Sequence, residues 1–310
     1  MKVLFTGVGS IGSRHIRNLN ALCEQRGAEL TIDVVRKSNR ILPEDLSSKI
    51  RHQIWDDKGL DSHYDVLFIT DETSTHYENI KKYQDICDSM FIEKPIFDKT
   101  NYAEEELKEL EASHTCYVAA PMRFSHYYEQ MKREIEANKV YSARIIFSSY
   151  MPSWQPGRDY TKSFRCFNDR GGGVDIDLLH EVDYMVNLFG FPKRVHRVAG
   201  KFSHLQMDAC DLATYIFEYP DKLVELHLDY FGRKRTRKME LFTEQDTIVI
   251  DFNATSVEYL EAQKLQDYGT ECDFYSEEMK YFLNLLAGKV KNINPPTLAF
   301  NVLKLTKGFL

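Results

Sequence analysis

Lys2-Val3-Leu4-Phe5-Thr6-Gly7-Val8-Gly9-Ser10-Ile11-Gly12-Ser13 is the stretch from which the fold of this chain is read. Residues 2–6 are a short apolar run rich in β-formers, and a helix-compatible stretch, Ser13 to Cys23, follows the glycines. Gly-x-Gly-x-x-Gly carries meaning when a strand precedes it and a helix follows it, and both are present. Gly7 permits the tight turn, Gly9 lets a pyrophosphate approach the backbone, and Gly12 lets helix and strand pack closely. The helix N-terminus, with Ser10 and Ile11 in its first turn, then offers N–H groups and a positive dipole end to phosphates. The pattern predicts a dinucleotide site on Gly7, Gly9, Ser10, Ile11 and Gly12.

Further strand patterns lie at Leu30–Arg36, Asp65–Thr70, Met90–Glu93 and Cys116–Ala120. Helical patterns near Thr75–Ile86 and Asn101–Ala112 separate some of them. Short apolar strands alternating with amphipathic helices predict an α/β chain whose first part, 1–121, is a Rossmann-type, doubly wound parallel sheet. Ligands in such sheets bind at the carboxyl ends of the strands. That rule gathers Gly7–Gly12, Arg36–Ser38, Thr70–Thr73 and Glu93–Pro95 on one rim.

The end of the second strand predicts the cofactor. A site for NAD usually has an acidic residue there to accept from the ribose 2′-hydroxyl. Here the strand ends Arg36-Lys37-Ser38, and two cations with a hydroxyl suit a 2′-phosphate, which favours NADP over NAD. A competing register would bring Asp33 to the ribose, but Asp33 lies inside the apolar run.

The chain has 310 residues, enough for two domains, and 40 basic against 47 acidic side chains give a net charge of −7. With that balance and no long basic run, nucleic acid is not an expected partner. No stretch approaches the ~20 apolar residues of a membrane span. The first residues enter a strand pattern at once, so no signal peptide is read and a cytoplasmic protein is expected. The six cysteines form no Cys-x-x-Cys pair, so neither zinc nor a disulfide framework is expected, and no metal site is assigned.

From about residue 122 the pattern changes. A helix near His126–Ala137 leads to a strand at Ala143–Tyr150. Strand-like runs then recur at Arg194–Lys201, Ala213–Tyr219, Leu223–Phe231, Lys238–Thr243, Thr247–Phe252 and Ser256–Leu260. Turn signals between them predict an α+β second domain, 122–310, with a largely antiparallel open sheet. A helix at Phe274–Ala287 and a last segment from Pro295-Pro296 to Leu310 complete the chain.

Within this half, Gly171-Gly172-Gly173 reads as a flexible, close-approach opening to an amphipathic helix carrying Asp177 and His180 on one face. A carboxylate beside an imidazole suits proton transfer to a bound hydroxyl; a capped surface helix with a chance pair is the plain alternative. The preceding loop offers Trp154, Arg158, Asp159 and Tyr160. An indole face, a guanidinium and a carboxylate would suit a polyhydroxylated ring with an acidic or amide group. A crossover with Trp154 packed into the core is the other reading.

Four blocks together resemble the glucose-fructose oxidoreductase / inositol dehydrogenase (Gfo/Idh/MocA) family. They are Gly7–His15, Thr70-Asp71-Glu72-Thr73-Ser74-Thr75-His76, Glu93-Lys94-Pro95 and the Gly171–Asp183 run. The resemblance covers nearly the whole chain. It implies an NAD(P)-dependent oxidoreductase of a sugar or sugar derivative, working as a homodimer or homotetramer. It puts Lys94 near the nicotinamide and the reacting carbon, and Asp177 and His180 on the substrate side, with His180 moving the proton. Glu93 and His76 either contact the cofactor or brace the loop, and Thr70 and Thr73 belong to the same cofactor rim.

The spacing of Asp177 and His180 is three, where the inositol dehydrogenase form has four. Glu72 stands where many relatives have proline. Pro121-Met122-Arg123-Phe124 occupies a position where relatives often have asparagine or tyrosine, which makes Arg123 a candidate substrate contact. The Asp159-Tyr160 loop and His180-Glu181-Val182-Asp183-Tyr184 also look like a subgroup tied to bacterial surface-glycan sugars. An NAD-using glycosidase and a non-catalytic dinucleotide sensor on the same fold are the competing readings.

Overall fold

The computed structural model describes residues 1–309, apart from the side chain of Asp57, so Leu310 of the expected last segment lies outside the described residues. The chain divides into two compact units. One comprises Met1–Ala119 and Tyr275–Phe300, the other Ala120–Phe274 and the residues from Asn301 onward.

The first unit is built on six strands: β1 (Lys2–Phe5), β2 (Thr31–Val35), β3 (His52–Ile54), β4 (Tyr64–Ile69), β5 (Cys87–Ile92) and β6 (Thr115–Val118). Their order is β3-β2-β1-β4-β5-β6, with every pair parallel. The order reverses between β1 and β4, so the loops leaving these two strands flank the switch point where such sheets bind ligands. Helices α1 (Ser10–Gln25), α2 (Glu44–Ser47), α3 (His76–Tyr83) and α4 (Glu104–Ser113) fall among the strands. Strands β1, β4 and β5 are almost continuously apolar because helices cover both faces of a parallel sheet. Strand β3, only three residues long, carried no readable alternation.

The second unit opens with α5 (His126–Ala137), whose Ser125 Oγ accepts from the Tyr128 N–H at 3.1 Å as an N-cap. Its strands are β7 (Val140–Ser148), β8 (Arg194–Gly200), β9 (Leu212–Glu218), β10 (Leu223–Asp229), β11 (Thr236–Thr243), β12 (Thr247–Asp251), β13 (Ser256–Tyr259) and β14 (Lys264–Asp267). They run in the order β14-β13-β12-β11-β7-β10-β9-β8. Only β7 and β10 pair parallel, so the sheet is largely antiparallel as the turn signals predict. Alternation is clean: Ala143, Ile145 and Phe147 are buried on β7, while Arg144 between them faces outward beside Glu225 and Glu240.

Two expectations need correction. The stretch 122–310 is not one continuous domain. Helix α8 (Phe274–Leu286), met after the helices α6 (Val174–Asp177) and α7 (Leu179–Phe189), buries Met279, Phe282, Leu283 and Leu285 among Val3, Phe5, Ile16 and Phe91 of the first unit. Its apolar stripe completes the first core rather than the second. The last helix, α9 (Pro296–Thr306), passes from one unit to the other at Phe300 and Asn301. Second, Asp177 and His180 do not share one helix. The backbone breaks at Leu178 (φ −100°, ψ 27°), which ends α6 and precedes α7. No helix among the described residues is long and apolar enough to cross a membrane.

Candidate active site

In the first unit, α1 begins at Ser10 with Gly9 as a cap that supplies no side-chain bond, which leaves the N–H groups of its first turn facing outward from the loop. The glycines act by close approach. A Cβ on Gly12 would lie 2.3 Å from the Gly7 carbonyl oxygen, and one on Gly7 would lie 3.0 Å from Asp71. A Cβ on Gly9 would meet nothing within 4 Å, so no part of this chain needs that space. A pyrophosphate laid along the loop fits there.

Asp71 organises the end of β4. It accepts from Thr6 Oγ1 at 2.9 Å and Thr75 Oγ1 at 2.5 Å, and from Asn79 Nδ2, while Lys37 Nζ lies 3.5 Å away. Thr70 Oγ1 donates to the Gly7 carbonyl at 2.8 Å, tying β4 to the glycine loop, and Thr73 is buried in the short turn that follows. His76 is buried, with Nδ1 3.0 Å from the Pro95 carbonyl and Nε2 3.3 Å from that of Asp71. Glu93 is buried and meets His15 Nε2 at 2.5 Å, and its other oxygen accepts from the Lys94 N–H at 3.2 Å. Both His76 and Glu93 are thus bonded to the loops of this rim. Lys94, at the same rim, is half-buried.

Burial by itself would raise the Glu93 carboxyl. The His15 hydrogen bond and the charges of His15, Lys94 and His76 outweigh it and hold the carboxyl below its ordinary value of 4.5. Its folded value lies below its unfolded one, so its stabilisation is complete above the unfolded value and is lost as pH falls through the folded one. Glu93→Gln is expected to lose roughly 1–3 kcal/mol at neutral pH, the scale of a hydrogen bond to a charged group. Urea denaturation should show the gap narrowing below pH 4.5. A gap that widens on acidification would contradict this account.

The end of β2 differs from expectation. Arg36 is turned inward: its terminal nitrogens donate to Gln53 Oε1 and the Arg40 carbonyl, and the guanidinium lies over Trp55. Burial and the nearby Arg40 charge lower its pKa. Arg40, which sequence reasoning missed, is exposed and donates to the Val8 carbonyl of the glycine loop at 3.0 Å. Lys37 and Ser38 are exposed. Asp33 is fully buried, bonded by Arg51 Nε at 2.9 Å and Tyr64 Oη at 2.9 Å.

In the second unit the three glycines are buried. A Cβ on Gly172 would lie 2.5 Å from the Phe164 carbonyl oxygen and 2.6 Å from that of Arg165. Gly171 and Gly173 have φ of 73° and 118°, where side chains other than glycine's are strained. The close approach read from the sequence is thus to the chain's own backbone and not a ligand opening.

That backbone holds a polar cluster. Asp177 accepts from Arg165 Nε at 2.8 Å and Tyr230 Oη at 3.1 Å. Burial first, then the adjacent Asp177, hold the Tyr230 phenol well above 10, which keeps it a donor. Trp154 stands edge-on to Tyr230, with ring centroids 5.3 Å apart, and donates its Nε1–H to Ser149 Oγ at 2.7 Å. Arg165 lies 6.0 Å over the Trp154 ring. Trp154 therefore packs against Tyr230 and Arg165, the two partners of Asp177. Arg165 and Tyr230 carried no sequence signal because 12 and 53 residues separate them from Asp177.

His180 is half-buried in the first turn of α7. Its neighbour Glu181 is fully buried and accepts from Arg237 Nε at 2.8 Å. Asp175, on the other short helix, is buried between Arg197 Nη2 at 2.6 Å and Lys307 Nζ at 2.9 Å. These pairs fix the two segments that carry Asp177 and His180.

Arg123, a candidate substrate contact from the sequence, is paired within its own unit. Its buried guanidinium donates twice to Asp183, from Nε at 2.9 Å and Nη2 at 2.6 Å, the bidentate form that fills a carboxylate. Arg158 and Asp159 are exposed and bond within their own turn, Arg158 to Gln155 and Asp159 to Thr161. Tyr160 Oη accepts from the Gln206 N–H at 3.1 Å. Burial pushes the Cys87 thiol up to about 12, far from the range of a reactive thiolate. His126, Glu271 and Cys272 bring potential ligand atoms within 4.8 Å of one another. Glu271 is already occupied there, capping α5 through the N–H groups of His126 at 2.6 Å and Tyr127 at 3.1 Å.

Residues 1–120 match the sequence profile of the Gfo/Idh/MocA oxidoreductase family, NAD-binding Rossmann fold. That match takes in the first 120 of the 310 residues. Among curated proteins, scyllo-inositol 2-dehydrogenase (NAD(+)) of Bacillus subtilis (strain 168) is 27% identical over 194 residues, 59% of this chain and 52% of its own. The match spans about half the length of that relative. Solved structures share the fold over nearly the whole chain. An oxidoreductase from Thermotoga maritima superposes with a TM-score of 0.80 at 16% identity, covering 99% of this chain and 95% of that one. The WlbA dehydrogenase from Bordetella pertussis, solved with NADH and UDP-GlcNAcA, gives 0.77 at 15% identity, covering 100% and 95%.

Proposed function

We propose that this chain is a Gfo/Idh/MocA-type dehydrogenase or reductase that moves a hydride between NADP and a hydroxyl or carbonyl carbon of a sugar or sugar derivative. The observation that carries the reading is the glycine loop at the switch point, with open space at Gly9 and Arg40 bonded to Val8 beside it. NADP is preferred over NAD because Asp33 is committed to Arg51 and Tyr64, while Lys37, Ser38 and Arg40 supply cations and a hydroxyl for a 2′-phosphate. In this reading Arg36 positions Arg40 through its backbone carbonyl instead of meeting the phosphate itself.

When bound, the nicotinamide supplies the hydride acceptor or donor. A carbinol carbon gives up hydride only as its hydroxyl loses a proton, and the imidazole of His180 takes that proton. In the reverse direction His180 returns it and the Lys94 ammonium polarises the carbonyl. Asp177, held by Arg165 and Tyr230, binds a substrate hydroxyl, with Trp154 offering a ring beside it. A role in surface-glycan sugar metabolism rests on the Asp159-Tyr160 loop and the His180–Tyr184 form. Self-association is supported by the open sheet, where Val198 and Ile216 are exposed beside Arg144 and Glu225.

The test is nucleotide binding followed by fluorescence, then a panel of sugars and sugar acids followed at the NADPH absorbance. Lys37→Gln with Arg40→Gln is expected to weaken NADPH by roughly 10- to 100-fold while leaving NADH nearly unchanged, the scale of one charge-assisted contact or two. Equal losses for both nucleotides would mean that these residues do not meet a 2′-phosphate.

A further inference from the structure

The connection from β10 to β11 reads Tyr230-Phe231-Gly232-Arg233-Lys234-Arg235-Thr236-Arg237-Lys238, with five cations in the six residues 233–238 of a chain whose net charge is −7. Its two ends are anchored to the segments that carry the proposed substrate groups. Tyr230 donates to Asp177 at 3.1 Å, and Arg237 donates to Glu181, the neighbour of His180, at 2.8 Å. The turn between them is tight. Asp229 Oδ1 accepts from the N–H groups of Phe231 at 3.0 Å and Gly232 at 2.6 Å, and a Cβ on Gly232 would lie 1.7 Å from Ser148 Oγ.

Two of the five cations are matched inside the unit, Arg237 by Glu181 and Lys238 by Glu240 at 2.6 Å. The other three, Arg233, Lys234 and Arg235, are exposed, and among the described residues no carboxylate lies within 4 Å of them. The Arg233 guanidinium lies over the Tyr150 ring, 3.8 Å from its centroid, a cation–π contact that holds it in place. Arg235 has its pKa lowered by partial burial and by the charge of Arg237. Three adjacent, unmatched cations repel one another, and an anion of more than one charge is what would relieve them.

We infer that this turn binds a phosphate or diphosphate group carried by the sugar substrate. The inference rests on the proposed function for its word "substrate" and specifies the class: a sugar phosphate or sugar nucleotide. A single carboxylate would match one of the three cations, whereas a diphosphate matches the set, and arginine forks suit its oxygens. Because the turn is anchored beside Asp177 and His180, contacts to a remote phosphate would hold the ring for reaction.

The experiment is calorimetric titration of the NADPH-saturated protein with inorganic pyrophosphate, for wild type and for R233Q/K234Q/R235Q. Saturation with NADPH keeps the probe off the glycine loop. The variant is expected to bind pyrophosphate roughly 10- to 100-fold more weakly, with its NADPH affinity and unfolding midpoint unchanged. Equal pyrophosphate affinity in the two proteins, or none in the wild type, overturns the inference. A second arm compares a panel of sugar 1-phosphates with inorganic phosphate. Tighter binding of at least one sugar phosphate is expected, and parity throughout would make the turn a free-anion site and overturn the substrate reading. If NADPH itself does not bind, the dinucleotide reading fails, while the difference between wild type and variant still decides the turn.

Discussion

His180→Ala is expected to lower kcat by about 10²- to 10⁴-fold, the range lost when a positioned acid–base group is removed. NADPH affinity should not change, because the nucleotide is assigned to residues of the other unit. In the proposed reading His180 takes this step; it is half-buried in the first turn of α7, next to a side chain that is pinned in place. Neutral imidazole is a suitable base near pH 7. Asp177→Asn is expected to behave differently. It would leave Arg165 facing an amide instead of a carboxylate, so the loss should fall on KM at least as much as on kcat. The pair of variants is read by steady-state kinetics on any sugar that the panel shows to be turned over, with imidazole added to rescue His180→Ala. A wild-type kcat in His180→Ala would move the proton-transfer role elsewhere.

The second large effect is on stability. Glu181 and Arg237 form a buried pair, with Arg237 also lying over Phe147 and Phe252 at 4.7 and 5.3 Å. Burial, the largest single influence, would lower the Arg237 pKa, and the charge and hydrogen bond of Glu181 together with Tyr184 and Tyr127 outweigh it, so the guanidinium is held in its charged form. Removing one partner leaves the other charge buried and unmatched, which costs about 3–5 kcal/mol. Glu181→Leu is therefore expected to be severely destabilised in chemical denaturation. Glu181→Leu combined with Arg237→Met should recover most of that loss, since two apolar side chains of similar volume remove both charges together. If the double variant were no more stable than the single one, packing rather than charge would explain the cost. Because Glu181 adjoins His180, the single variant should also lose activity before it loses fold.

The parts of this protein that were legible in its sequence are those set by local rules. The glycine loop, the parallel strands with apolar runs, and the alternating strands of the second half follow from steric and burial periods that operate within ten or so residues. Strands β3 and β14 were missed because three or four residues are too few to carry a period, and those of β14 are mostly exposed. Arg36 was assigned to the cofactor because it ends β2, yet its side-chain direction depends on Gln53 and Arg40, which no local pattern reports. Arg123 looked free for a ligand because its partner, Asp183, lies 60 residues away. The glycine run was read as a ligand opening, and only the tertiary path of residues 164–165 shows what fills the space.

The sequence by itself determined the fold class, the place of the dinucleotide loop and the identities of Lys94, Asp177 and His180 as candidates, since these depend on residue type and short spacing. The tertiary structure alone decided which charges remain available for ligands. Asp33, Glu93, Arg123 and Glu181 are each neutralised by a partner distant in the chain, because a buried charge is tolerated only when another charge or donor meets it. What is left unmatched, Arg40 near the glycine loop and Arg233–Arg235 in the turn whose ends bond Asp177 and Glu181, is visible only after those long-range pairs have been formed.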